Sequence, residues 1–314
     1  MPTLSNYNNG FANGVTIRGI PVLNSYPGAV VWVDSNYGSD GNKGTFDRPF
    51  ASVDYAIGQC TANRGDIICV KAGHAETLSS ATALVADIAG VAILGFGVGT
   101  NRPTFTLDTA TTTTIAVSAA NVSFKNCIFT ANFADIVSTF TLTTAKNFTL
   151  EDCYIKATAT NMNFLWVVDT NATTNDADGL ALINNKWIEP DLATNALVKM
   201  DGTNADVDLT GNYVSLGVKN NTASLMAIAT TKVVTSLRCH FNRVYRLNTD
   251  TATGGILITT DGSTNTGLIS ENFAQHADTA AEILVTASSG FGFFENRASG
   301  VAGASGYLLP AADS

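Results

Sequence analysis

Apolar and polar residues alternate along this chain in short bursts, the period of two that marks half-buried strands; helical periodicity is nearly absent. In VSFKN, Val122 and Phe124 are expected to face inward and Ser123 and Lys125 outward. In VDLTG, Val207 and Leu209 face in, while Asp208 and Thr210 face out. An acid at position 124 should therefore prevent folding, whereas one at position 125 should change stability by less than about 0.5 kcal/mol.

The same sentence recurs: a strand, a polar pair with Asn, then another strand. VSFKNCIFTA, FTLEDCYIKA, LALINNKWIEP, VDLTGNYVSL, LRCHFNRVYRL, TGLISENFAQ and GFGFFENRAS align on Asn126, Asp152, Asn185, Gly211, Asn242, Glu271 and Glu295, with separations of 26, 33, 26, 31, 29 and 24 residues. VAILGFG fits one step earlier, with Gly95 at the pair. A period in this range means a repeat architecture. The fixed leucine spacing of leucine-rich repeats is missing, and the units are too short for propeller blades. The pattern predicts an all-β right-handed parallel β-helix, a single-stranded solenoid whose coils stack about 4.8 Å apart. Nine or ten coils would make a rod of about 45 Å on that spacing. Asn suits the corner because it tolerates the left-handed conformation. The position after the pair, which begins with Cys127 and Cys153, mixes Cys, Lys, Asn and Arg and reads as exposed or half-exposed. Those two thiols are expected to stack on adjacent coils, within reach of a bridge but not bridged.

An open rod end invites pairing and needs a cap. In PFASVDYAIGQC, Ser52 is placed to cap a short helix whose Val53, Ala56, Ile57 and Cys60 share one face. The chain is thus divided into an extended N-terminal arm (1–30), a cap (31–64) and coils (65–314). The order VDSNYGSDGNKGTFDRPFASVDYAI, then GDIICVKAGHAETL, resembles the cap and first coil of right-handed parallel β-helix proteins of the pectate-lyase-like superfold. The opening NYNNGFANGVTIRGIPVLNSYPG is similar to β-helix proteins encoded by tailed bacteriophages. Assembly as a homotrimer is an implication of that resemblance.

Only 14% of residues are charged, against about 25% in ordinary domains. The net charge of −9 and the lack of an extended Lys/Arg-rich patch argue against a nucleic-acid partner. No apolar run is long enough to span a bilayer, and the N-terminus does not read as a signal peptide. The five cysteines, Cys60, Cys69, Cys127, Cys153 and Cys239, are widely spaced without CxxC, so buried thiols are expected, not a zinc site.

Candidate chemistry is sparse. Asp34, Asn36 and Asp40 offer oxygens for a structural calcium ion, but the closing Glu of an EF-hand loop is absent, and Asx turn chemistry is the preferred reading. Asp176 and Asp178 sit in a loop-like stretch, alternation puts Asp206 and Asp208 on one face near Asp201, and Asp250 and Asp261 flank a Thr/Gly segment. Arg238, Arg243 and Arg246 cluster in sequence near His240; His74 reads as structural and His276 stands apart. None of these residues reads as catalytic, cofactor-binding or metal-binding, since none sits among the aromatics and cations of a glycan cleft. Thr/Ala-rich, charge-poor runs suit side-by-side packing of subunits. The expectation is therefore a non-enzymatic virion protein, a homotrimeric capsid decoration or short spike, made in the host cytoplasm and partnered by a capsid or tail protein. The alternatives are a polysaccharide-degrading lyase or hydrolase, for which a host-surface glycan is the partner, and a bacterial surface adhesin.

Overall fold

In the computed structural model, residues 16–17, 20–21, 28–189, 195–217, 223–246, 255–260, 264–276, 283–285, 290–300 and 306–307 are described. The chain winds as a right-handed parallel β-helix with three sheets along its length. The first sheet has ten strands, from Val30–Val33 to Gly290–Phe294. The second also has ten, from Ala75–Leu78 to Gly306–Tyr307, and the third has eight, from Val85–Ala86 to Ile283–Val285. Every pairing in the three sheets is parallel except the final one, where Gly306–Tyr307 runs against Arg297–Gly300.

Alternation dictates the core, because residues at equivalent positions of successive coils stack. The inward column of the first sheet runs Ile68, Ile93, Phe124, Leu150, Leu182, Leu209, Cys239, Ile269. The second sheet contributes Phe105, Phe129, Ile155, Trp187, Val214 and Val244, and the third Ile115, Phe140, Val168, Val198, Met226 and Ile258. All of these are buried, so the inward assignments of Val122, Phe124, Val207 and Leu209 hold.

The cap forms as its sequence requires. Helix α1 (Val53–Gly58) is capped by Ser52, whose hydroxyl accepts from Tyr55 N–H, and it buries Val53, Ala56 and Ile57. Asp54 accepts from Val85 N–H at 2.9 Å, and Glu76 accepts from Val53 N–H at 2.8 Å. The helix is thus bonded to the first strands of the second and third sheets, which would otherwise present open edges. Gly38 is required because a Cβ there would collide with the carbonyl oxygens of Phe50 and Asp34.

Asp66 is the electrostatic anchor of this end. Its buried carboxylate takes both Nε and Nη2 of Arg64 at 2.7 Å and the N–H groups of Ala29 and Thr61 at 2.6 and 2.7 Å. Chiefly the Arg64 bonds hold its pKa at about 2, below the ordinary 3.8. A depressed folded pKa contributes stability that is complete above the unfolded value and is lost as pH falls towards the folded one. Melting temperature should therefore fall between about pH 4 and 2, and Asp66→Asn should flatten that decline and cost about 2 kcal/mol at neutral pH. An unchanged acid profile in the variant would remove Asp66 from this role.

The arm is described at Thr16–Ile17 and Ile20–Pro21, which pair antiparallel, and at residues 28–30, where Val30 already begins the first sheet.

Candidate functional site

From the strand Ser123–Lys125 upward, the chain turns from the first sheet to the second through one residue in the left-handed region at each level. These are Asn126, Asp152, Asn184, Gly211, Phe241, Glu271 and Glu295, with φ between 47° and 71°. Two of the pair assignments made from sequence were therefore one residue late: the corner is Asn184, not Asn185, and Phe241, not Asn242. Phe241 escapes a pattern search because an aromatic residue is a poor left-handed corner.

The residue after each corner is buried, not exposed as its mixed composition suggested. Cys127 and Cys153 are followed on the same inward line by Asn185, Asn212, Asn242, Asn272 and Asn296, all 3% exposed or less. Each of these asparagines donates from Nδ2 to a carbonyl of the preceding coil: Asn185 to Leu150, Asn212 to Leu182, Asn242 to Leu209, Asn272 to Cys239 and Asn296 to Ile269, at 2.7–2.9 Å. Each Oδ1 also receives the backbone N–H of the ladder residue one coil below. Cys127 and Cys153 stack as expected and are free, and hydrogen bonding to Cys153 together with burial pushes the Cys127 thiol well up.

One residue further on, the chain faces out again at the start of the second sheet. Strand register aligns Tyr154, Lys186, Tyr213, Arg243, Phe273 and Arg297 in a single outward column. Aromatic and cationic side chains alternate without a break. Lys186 Nζ lies 5.2 Å from the Tyr154 ring centre and 5.7 Å from that of Tyr213. Tyr245 joins the column from two residues away, 5.3 Å from Tyr213 and 5.9 Å from Phe273. At its upper end the column opens into a groove of about 530 Å³, lined among others by Phe241, Arg243, Tyr245, Phe273 and Arg297, with Glu271 and Glu295 on adjacent corners. Glu271 N–H donates to Phe294 C=O at 3.0 Å, which fixes the two acids one coil apart.

A second charged cluster lies on the third sheet. Lys199 Nζ stands 2.6 Å from Asp201 Oδ2 and 3.4 Å from Asp169 Oδ1. Burial, with repulsion from Asp201, raises the Asp169 pKa although Lys199 opposes the shift. The cluster closes on itself, both acids sharing one lysine.

The other candidates from sequence are dispersed. Asp176 accepts from Asn171, and Asp178 accepts from Ala205 N–H and pairs with Lys146. Asp206 is a left-handed corner with φ of 58°, so it does not share a face with Asp208, which pairs with Arg238. Arg238 and His240 face out from the first sheet while Arg243 lies around the corner on the second, so the expected cluster is split. Arg246 and His276 end the strands Arg243–Arg246 and Phe273–His276, and Asp250 and Asp261 lie outside the described residues. His74 is buried, its Nδ1 accepting from Ser35 N–H, which leaves Nε2 as the protonated nitrogen, 3.5 Å from Glu76. Asp34 Oδ1 accepts from Asn36 N–H, Asn36 donates to Gly73 C=O, and Asp40 receives Ala51 and Ser52 N–H and the Ser52 hydroxyl. The Asp34–Asn36 bond is an Asx turn, while Asn36 and Asp40 tie the loop to residues far along the chain.

No protein-family model matches the chain, and no curated protein matches it in sequence. Among solved structures, a rhamnogalacturonan lyase is similar over 90% of this chain and 90% of its own, with a TM-score of 0.50 and 12% identity. A GH136 lacto-N-biosidase from Eubacterium ramulus covers 87% of this chain and 68% of its own, at 12% identity and a TM-score of 0.29. The first likeness shows the parallel β-helix fold; the second superposes too loosely to add to it.

Proposed function

We propose that this chain acts on an extended polysaccharide and that the groove beside Glu271 and Glu295 is where the glycosidic bond is cut. The supporting observation is the aromatic–cation column that runs into a groove bearing two carboxylates. Aromatic rings offer flat apolar surface to the C–H faces of sugars, and cations bond hydroxyl or acidic groups. Stacked corners hold the backbones of the two glutamates about 4.8 Å apart, a separation from which the carboxyl groups reach the roughly 5 Å spacing of acid and nucleophile. One glutamic acid gives its proton to the leaving glycosidic oxygen as the C–O bond breaks. The other carboxylate bonds to the sugar carbon, and water later displaces it, returning the proton to the first. The similar fold of a rhamnogalacturonan lyase agrees with an enzyme of this substrate class. It places no residue.

The test is incubation with a panel of acidic and neutral polysaccharides, reading new reducing ends and, for elimination, absorbance of unsaturated products. Cleavage is expected, falling at least about a hundredfold in Glu271→Gln and Glu295→Gln. Cleavage unchanged in both variants would remove the groove from the chemistry.

A second reading is a homotrimeric virion protein. It is favoured by Leu268 and Phe294, which are 42% and 58% exposed on the outer side of the first sheet. Absence of cleavage across the panel, with a trimer mass by light scattering, would favour that reading.

A further inference from the structure

We infer that the polysaccharide carries a negative charge on every second sugar and lies along the second sheet from Arg297 to Tyr154; this rests on the polysaccharide reading above. The column has its own period. Lys186, Arg243 and Arg297 recur every second coil, and Tyr213 and Phe273 fill the levels between. Two coils span about 9.6 Å. A sugar in an extended chain advances by about one coil, so every second sugar meets a cation and the intervening sugar meets a ring. A chain charged on every sugar would set half of its carboxylates over aromatic faces, whose negative quadrupole repels them.

Two of these cations, Lys186 and Arg243, are available to such a ligand. Lys186 and Arg243 make no ion pair among the described residues and are exposed, although acids outnumber bases across the chain, which has a net charge of −9. Lys186 is held between two rings instead of next to a carboxylate. At the lower end the alternation stops, because Tyr154 also has Lys156 Nζ at 5.7 Å and the Arg102 guanidinium at 6.0 Å. From Tyr154 to Arg297 the column covers five coil steps, about 24 Å, enough for five or six sugars.

Calorimetric titration of the full chain with hyaluronan, polygalacturonate and dextran tests this, since these carry a carboxylate on every second sugar, on every sugar and on none. Hyaluronan should bind tightest and should weaken as salt rises. Lys186→Ala should weaken it about threefold to fivefold, and Tyr213→Ala about tenfold; both positions lie away from Glu271 and Glu295. Polygalacturonate or dextran binding as tightly as hyaluronan would overturn the inference, as would unchanged affinity in both variants or no binding at all. Binding in the expected order without any cleavage leaves the inference standing and removes the proposed chemistry. Cleavage by a chain whose binding ignores the charge pattern does the reverse.

Discussion

Asn212→Leu should lower unfolding free energy by about 3–5 kcal/mol, although the two side chains share the same branched skeleton. Asn212 Nδ2 donates to Leu182 C=O at 2.8 Å and to Asn242 Oδ1 at 3.0 Å, and its Oδ1 accepts the N–H and Nδ2 of Asn185 at 3.0 and 3.2 Å. Leucine leaves Leu182 C=O and Asn185 N–H buried without these partners, each costing about 1–3 kcal/mol. The neighbouring Asn184→Gly is the control. Asn184 is an exposed corner with φ of 54°, and Gly211 already fills the same place one coil on. That change should cost less than about 1 kcal/mol. Denaturant midpoints report both, and equal losses at the two sites would show that the inner ladder is not what holds the corner.

The contrast between Asn184 and Asn185 also explains which part of the structure could be read from sequence. The period of two gave the strands and their faces, because burial on one side is a strong, local constraint. The cap was legible for the same reason: Ser52 and the spacing of Val53, Ala56 and Ile57 are local signals. The corner was blurred because Asn serves two opposite purposes there. At Asn126 it accepts a left-handed turn on the outside, and at Asn212 it satisfies backbone groups on the inside. Where two asparagines adjoin, as at 184 and 185, pattern alone does not separate the roles.

That one-residue ambiguity hid the candidate site. Aligned on Asn184 and Phe241, the second position after the corner reads Tyr154, Lys186, Tyr213, Arg243, Phe273, Arg297; aligned on Asn185 and Asn242, the alternation dissolves. Glu271 and Glu295 were identified as corners, yet nothing local in the sequence brings Phe241 and Tyr245 beside them. Stacking of coils does that, across 24 to 30 residues of intervening chain.

Phe124→Asp should abolish folding, and the reason lies in how many faces meet at one ring. Phe124 comes from the first sheet and is fully buried; its ring centre lies 6.1 Å from Phe129 of the second sheet and 5.3 Å from Phe140 of the third. Phe148, which leads into the next coil, is 6.3 Å away. Removing the ring costs about 3–5 kcal/mol in lost packing and cavity, and a buried unpaired carboxyl adds several more. Together these reach the whole stability of an ordinary domain, about 5–15 kcal/mol. Lys125→Asp, one residue along, should leave a folded chain, but not at the near-zero cost expected of an unpaired outward residue. Lys125 Nζ lies 2.7 Å from Glu151 and 3.4 Å from Asp152, so the change removes both pairs and sets a third acid among two. Since the three side chains are about a third or more exposed, solvent screening keeps the loss to about 1 kcal/mol. Soluble yield with far-ultraviolet circular dichroism tests the first variant, and thermal melting at low and high salt tests the second, whose deficit should shrink as salt rises. A folded Phe124→Asp protein would mean that the interior of the solenoid is not the closed apolar column on which every assignment of its outer faces depends.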